Sequence, residues 1–238
     1  MTEVVILCQG TQSRLGHQHG HKQLLTLPAT GERILERTLA MARRVFSTGS
    51  RVTVIGWPEM FAKMQPAQPW ETRVTLPDPG NSSLKGVARY LEARDRGEAS
   101  PTAILLGDVV YSWQCMYAIR TMTLGWGFVG TKDISESTGE IWGVGWSAEH
   151  DDSMLANLRD ALLRHPPFDD EYQPGQLRRW IAGWRKKPLV ELVRHHRVHG
   201  HYVDIDDYTM DVDLPKHVPL LARASVLARA EDAAHAVG

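Results

Sequence analysis

Several absences narrow the reading of this chain. Only two cysteines, Cys8 and Cys115, occur in 238 residues. They could form at most one disulfide and neither belongs to a C-x-x-C pair, which excludes a disulfide scaffold and points to reduced thiols with packing roles. No apolar run approaches the ~20 residues needed to cross a bilayer. The N-terminus places Glu3 before the short Val4 to Cys8 run, with no basic leader, so a cytoplasmic location is expected. Neither sign of charge dominates: 27 Lys plus Arg face 28 Asp plus Glu, a formal net charge of -1. That balance argues against broad nucleic-acid binding, which needs basic residues gathered on one face. What the chain does have is apolar material, 42% of its residues against 23% charged, enough to bury a substantial core.

The apolar residues are grouped. Val4 to Cys8 is a continuous run ending near Gly10, as expected of a strand buried on both faces. Ile34, Leu35, Thr38, Leu39, Ala42 and Val45 recur at helical spacing, which predicts a helix over 32–46 that opens after Gly31. Val52 to Ile55 and Thr72 to Leu76 read as strands, with a short helix opening at Pro58. A helix capped near Ser82 or Ser83 follows, and Ala103 to Leu106 is a strand running into Gly107 and Asp108. Trp126 to Lys132 and Glu140 to Trp146 predict a hairpin, Ser153 to Arg164 a helix capped by Asp152, and Leu214 to His235 a terminal helix. Strands alternating with helices imply right-handed βαβ units and a mostly parallel sheet, with ligands bound beyond the strand C-termini. Gly10 and Asp108 both fall at such ends. The expected class is α/β, a Rossmann-like mostly parallel sheet flanked by helices in a single domain over 1–238.

The segment between the first strand and first helix carries the chemistry: Leu7-Cys8-Gln9-Gly10-Thr11-Gln12-Ser13-Arg14-Leu15-Gly16, then His21-Lys22-Gln23-Leu24-Leu25. A glycine after a strand lets backbone amides approach an anion, and Arg14 and Lys22 supply positive charge. The phosphate motif G-x-x-x-x-G-K-[ST] has no match, and Gln12 stands where G-x-G-x-x-G needs its second glycine. The segment resembles the N-terminal signature of the GT-A-like nucleotidyltransferases, the group that includes sugar-nucleotide pyrophosphorylases, molybdenum-cofactor nucleotidyltransferases and phosphocholine cytidylyltransferases. Their pattern is roughly L-A-A-G-x-G-x-R-L-G, then P-K-x-L-L, then a Gly-led helix start. Leu7, Gly10, Arg14, Leu15, Gly16, Lys22, Leu24, Leu25 and Gly31 match. The strand ending Leu106-Gly107-Asp108 and the triplet Asp204-Ile205-Asp206 match two further elements in the same order. Cys8, Gln9, Gln12 and His21 depart from the pattern.

The resemblance implies transfer of a nucleoside monophosphate from a nucleoside triphosphate to a phosphate-bearing acceptor, such as a sugar 1-phosphate, with release of pyrophosphate. By it, Lys22 contacts the α-phosphate and acceptor, and Arg14 holds the departing pyrophosphate. Asp108 and Asp206 hold Mg²⁺, with Asp204 in reserve. Leu7, Cys8, Gln9, Gly10, Asn81, Ser82 and Ser83 face the nucleotide, and Glu140 the acceptor. Residues 1–110 would be the nucleotide-binding half and 111–238 the acceptor-binding half with the C-terminal helix. Two rivals stay open: a GT-A glycosyltransferase using a nucleotide sugar, and a noncatalytic nucleotide-binding or assembly protein whose Gln12 blocks the loop. Two histidine tracts remain, His17, His19 and His21, and His195, His196, His199 and His201. They read as solvated loop residues or, by the resemblance, as cations near the phosphates. Leu177, Trp180, Ile181 and Trp184 offer a face for a homodimer contact.

Overall fold

A computed structural model of the chain describes residues 1–8, 21–47, 49–76, 83–94, 99–131, 140–164, 189–212 and 217–236. The elements are β1 (Glu3–Leu7), α1 (Ile34–Val45), β2 (Arg51–Gly56), α2 (Pro58–Phe61), β3 (Glu71–Thr75), α3 (Ser83–Ala93), β4 (Thr102–Leu106) and β5 (Val109–Val110). They continue with α4 (Trp113–Met122), β6 (Trp126–Thr131), β7 (Ile141–Trp146), α5 (Asp151–Arg164), α6 (Leu189–Val198), β8 (Tyr202–Ile205), β9 (Met210–Asp211) and α7 (Val218–Ala236). Seven strands form one sheet in the order β3-β2-β1-β4-β7-β6-β8. Every neighbouring pair is parallel except those made by β7, which is antiparallel to both β4 and β6. The expected α/β class and mostly parallel sheet are therefore present in one domain, and the pairing of β4 with β7 joins the two halves of the chain through a single sheet.

The central strands are apolar because both faces are covered. Val4, Val5, Ile6, Val52, Val54, Ala103 and Leu105 are wholly buried. Helix α4 packs closely on β7, where a Cβ at Gly143 would fall 2.6 Å from Ile119 and one at Gly145 2.9 Å from Met122. Trp146, on the other face of β7 by strand alternation, donates from its indole to Asp151 Oδ1 at 2.9 Å, where α5 begins. α1 lies beside α4, and α3 beside α5. Among the described residues no helix is long and apolar enough to cross a membrane.

Helix α5 corrects one expectation. It starts at Asp151, so Asp152 lies inside its first turn instead of capping it. The reason is tertiary: Asp151 is buried and takes the Arg94 guanidinium on both oxygens, the Trp146 indole, and the Ser100 amide at 3.3 Å. Arg94 also lies 3.5 Å from Glu3, whose Oε2 accepts from the Tyr90 hydroxyl at 3.0 Å. This network links β1, α3, β7 and α5 at the N-terminal edge of β1. Removing one partner of such a buried pair strands the other's charge. Asp151→Ala should therefore lower the unfolding free energy by about 3 kcal/mol in urea titrations; a change below about 1 kcal/mol would show that the network contributes little.

Candidate functional site

The site is built where β1 and β4 end side by side. Cys8 N donates to Ile55 O at 2.8 Å and Gly107 N to Leu7 O at 2.9 Å, so the last residues of β1 are held between β2 and β4. Gly107 permits this approach, since a Cβ there would overlap the Cys8 sulfur. Cys8 is buried, and burial in the first place, then the charges of Asp108 and Glu71, push its thiol well above the ordinary range. It is a packing residue and not a thiolate at neutral pH. Cys115 is likewise a buried thiol.

The chain returns to this edge at His21. Leu24 N donates to His21 O at 2.8 Å and Leu25 N to Lys22 O at 3.1 Å, forming a short 3-10 turn over Lys22–Leu24. Lys22 is buried by this turn and its ammonium is paired with Asp108 Oδ2. Two residues that the sequence singled out in separate motifs thus meet at the C-terminal edge of the sheet.

Beyond Asp108 the two-residue strand β5 pairs antiparallel with β9, placing Val109 opposite Asp211 and Val110 opposite Met210. Asp211 therefore stands beside the Gly107-Asp108 turn, with His217 Nδ1 3.9 Å from its Oδ1. The β4–β7 pairing stops at Leu105, and the Tyr111 hydroxyl takes over: it accepts from Leu106 N at 2.8 Å and donates to Trp142 O at 2.7 Å. A tyrosine side chain so replaces a ladder step where the strands diverge.

Helix α7 locks these segments together. Leu27, Ile34, Val110, Val212, Leu221 and Ala224 form a second small core beneath it. Ser225 Oγ accepts from Ala29 N at 2.6 Å, Asp232 pairs with Arg37 and accepts from the Trp113 indole at 2.8 Å, and Glu231 accepts from Trp113 N at 3.1 Å and from the Tyr208 hydroxyl. The C-terminal helix thus ties the segment bearing Lys22 to those bearing Asp108 and Asp211.

The other expected site residues divide as follows. Leu7 is at the edge, and Glu140 lies there too, its amide donating to Thr131 Oγ1 at 2.9 Å where the β6–β7 hairpin opens. Gln9, Gly10, Arg14, Asn81, Ser82, His17, His19 and the Leu177, Trp180, Ile181 and Trp184 face lie outside the described residues, and of Ser83 only its place at the start of α3 is described. Asp204 is exposed on β8 and paired with Arg197. Asp206 is exposed just past β8, which β7 and β6 separate from β4, a span of about 14 Å at ordinary strand spacing. Asp211 was missed in the sequence. Its signal was a second triplet, Asp211-Val212-Asp213, followed by Pro215 and directly by the terminal helix, whereas Asp204-Ile205-Asp206 has no helix after it.

No protein-family model and no curated protein matches the sequence. Solved structures do match. A Bacillus anthracis protein assigned as a glucose-1-phosphate thymidylyltransferase, in complex with a sucrose, is 13% identical, with TM-score 0.57 and 96% of each chain covered. The 4-diphosphocytidyl-2C-methyl-D-erythritol synthase of Anaerococcus prevotii is 10% identical, with TM-score 0.61, over 94% of this chain and 95% of that one. The fold is that of the GT-A-like nucleotidyltransferases. A Mycobacterium tuberculosis H37Rv protein shares it at 16% identity and TM-score 0.53, over 93% of this chain and 97% of that one.

In this fold the second histidine tract does not lie near Lys22 and Asp108, which corrects the placement implied by the resemblance. His195 and His196 are on α6, and His201 precedes β8, so the tract meets the N-terminal ends of β6 and β8, at the opposite edge from Asp108. His201 stacks on Trp126 with ring centres 4.1 Å apart, and His196 is buried against Trp126 and Phe128 at 5.0 and 5.5 Å. His21, at the near edge, is lowered from its usual value by burial first and then by Lys63, so it adds no cation at neutral pH. For His196, burial, followed by the repulsion of His195, His201 and His199, lowers its value to about 4. Above pH 6.5 it is neutral folded and unfolded; below that the unfolded chain takes up the proton first, so stability falls as pH drops towards 4. Between pH 7 and pH 5 the unfolding free energy should fall by about 2 kcal/mol on this account. In His196→Leu that component should vanish; an unchanged pH dependence would contradict the assignment.

Proposed function

We propose that this protein transfers a nucleoside monophosphate from a nucleoside triphosphate to a phosphate-bearing small molecule, releasing pyrophosphate. The observation that supports it is the meeting of Lys22 and Asp108 at the C-terminal edge of a sheet with the nucleotidyltransferase fold. A phosphate monoester is largely ionised at neutral pH, so no general base or covalent intermediate is needed. The protein's work is to hold two anions in line and to neutralise charge as it develops. Lys22 does this at the α-phosphate, turning from Asp108 to the phosphate oxygens as they arrive, and Arg14 is assigned the departing pyrophosphate. The backbone from Leu7 to Gly10 and the Asn81 to Ser83 segment are assigned the nucleotide, and Glu140 the acceptor.

Among the described residues no three His, Cys, Asp or Glu are gathered as a metal centre. Mg²⁺ does not require one, because it is held by one or two carboxylates together with substrate phosphates and water. The hard oxygen donors of Asp108 and Asp211, on adjoining segments of the β5–β9 ladder, fit that need. In this reading Asp211 takes the place first given to Asp206, with Asp204 committed to Arg197. When bound, the ion would offset phosphate charge; the protein's own part is to hold the two aspartates on adjoining segments.

Pyrophosphate release assayed with each nucleoside triphosphate, a panel of sugar phosphates and Mg²⁺ tests the proposal. Release of a nucleoside diphosphate from a nucleotide sugar would mark a glycosyltransferase instead, and nucleotide binding without turnover a noncatalytic protein. Asp108→Asn and Asp211→Asn should each lower kcat by about a hundredfold or more, and Lys22→Ala by a similar factor. Asp206→Asn should leave it within about twofold; the reverse pattern for the two aspartates would restore the first assignment.

A further inference from the structure

The loose His alternation near residue 200 acquires a definite geometry on the helix. His195 and His199 are four residues apart, and His199 N donates to His195 O at 3.2 Å, so the helical turn extends through both. Residues at this spacing share one helix face. Both are exposed, and their ring centres lie 4.4 Å apart with the planes inclined at 54°. An imidazole nitrogen binds a first-row divalent metal at about 2.05 Å and lies about 1.1 Å from its own ring centre. Two imidazoles on one ion therefore have centres about 4.5 Å apart at an N–metal–N angle of about 90°, and about 5.1 Å apart at the tetrahedral angle. With a nitrogen of each ring turned towards a shared ion, the observed spacing fits the right-angled arrangement, which belongs to tetragonal Cu²⁺ and Ni²⁺, in contrast to tetrahedral Zn²⁺ and the oxygen-seeking Mg²⁺.

We propose that His195 and His199 form a bidentate site for a tetragonal divalent transition metal, Cu²⁺ or Ni²⁺, with water completing the coordination. The site staples the last turn of α6 just before the chain enters β8, at the sheet edge opposite Lys22 and Asp108. Nitrogen donors and exposure make it independent of the oxygen donors at the phosphate edge.

The test is titration of the full-length protein with Ni²⁺ by calorimetry and with Cu²⁺ by electron paramagnetic resonance at pH 7.5. Wild-type Cu²⁺ spectra should show hyperfine coupling to two imidazole nitrogens; coupling to none or one would overturn the proposal without recourse to any variant. His195→Gln and His199→Gln change exposed side chains, and each should weaken Ni²⁺ binding by about tenfold or more. Isotherms of the double variant that coincide with wild type would overturn the assignment to these residues. Zn²⁺ bound as tightly as Cu²⁺ would overturn the right-angled geometry.

Discussion

The ion pair between Lys22 and Asp108 is the constraint to which the C-terminal edge of this molecule is fitted. Bringing an ammonium and a carboxylate out of water costs several kcal/mol per ion unless each finds the other in good geometry. That geometry depends on elements far apart in the chain. The 3-10 turn buries Lys22, the Gly107 approach to Cys8 sets the turn that carries Asp108, and α7 holds both segments against a shared small core. A helix with no obvious chemistry in its sequence is thereby part of the site's construction. Its polar contacts, Ser225 to Ala29 and Asp232 to Arg37 and Trp113, fall on the segments that flank the two charged residues.

The opposite edge is organised on different terms. The Glu3, Tyr90, Arg94, Asp151 and Trp146 network answers charge with charge and indole with carboxylate, so its buried polar groups have partners. Next to it, around Trp126, burial is relieved in another way: His196 gives up its charge and packs as an aromatic ring. One sheet therefore separates two electrostatic regimes. At the C-terminal edge ionised groups meet as the Lys22–Asp108 pair beside the candidate site. At the N-terminal edge they are neutralised by pairing or by loss of a proton, which is what a core without a ligand requires.

Much of the fold was legible because its strands are buried on both faces. Val4 to Cys8, Val52 to Ile55 and Ala103 to Leu106 can be read as apolar runs without knowing what they pair with. Lys22 and Asp108 were legible too, as a lysine after a strand-loop signature and an acid after a strand. What escaped is set by tertiary contact. β5 and β9 are two residues each, too short for any periodicity, yet their pairing decides which aspartates can stand near Asp108. The start of α5 was misplaced by two residues because Asp151 answers to Arg94 and Trp146 and not to helix capping.

The two Asp-X-Asp triplets show the limit most clearly. Asp204-Ile205-Asp206 and Asp211-Val212-Asp213 are nearly equivalent as strings, and the first carries the better β-branched residue pattern with Tyr202 and Val203 before it. That very quality makes it a strand of the main sheet, β8, whose alternating side chains commit Asp204 to the exposed face and to Arg197. The second triplet is too short and too polar to enter the large sheet. Of it only Asp211, with Met210 before it, pairs with the two residues after Asp108, and α7 follows from Val218. A stronger strand signal thus sets one acid three strands away from Asp108, and a weaker one leaves the other beside it.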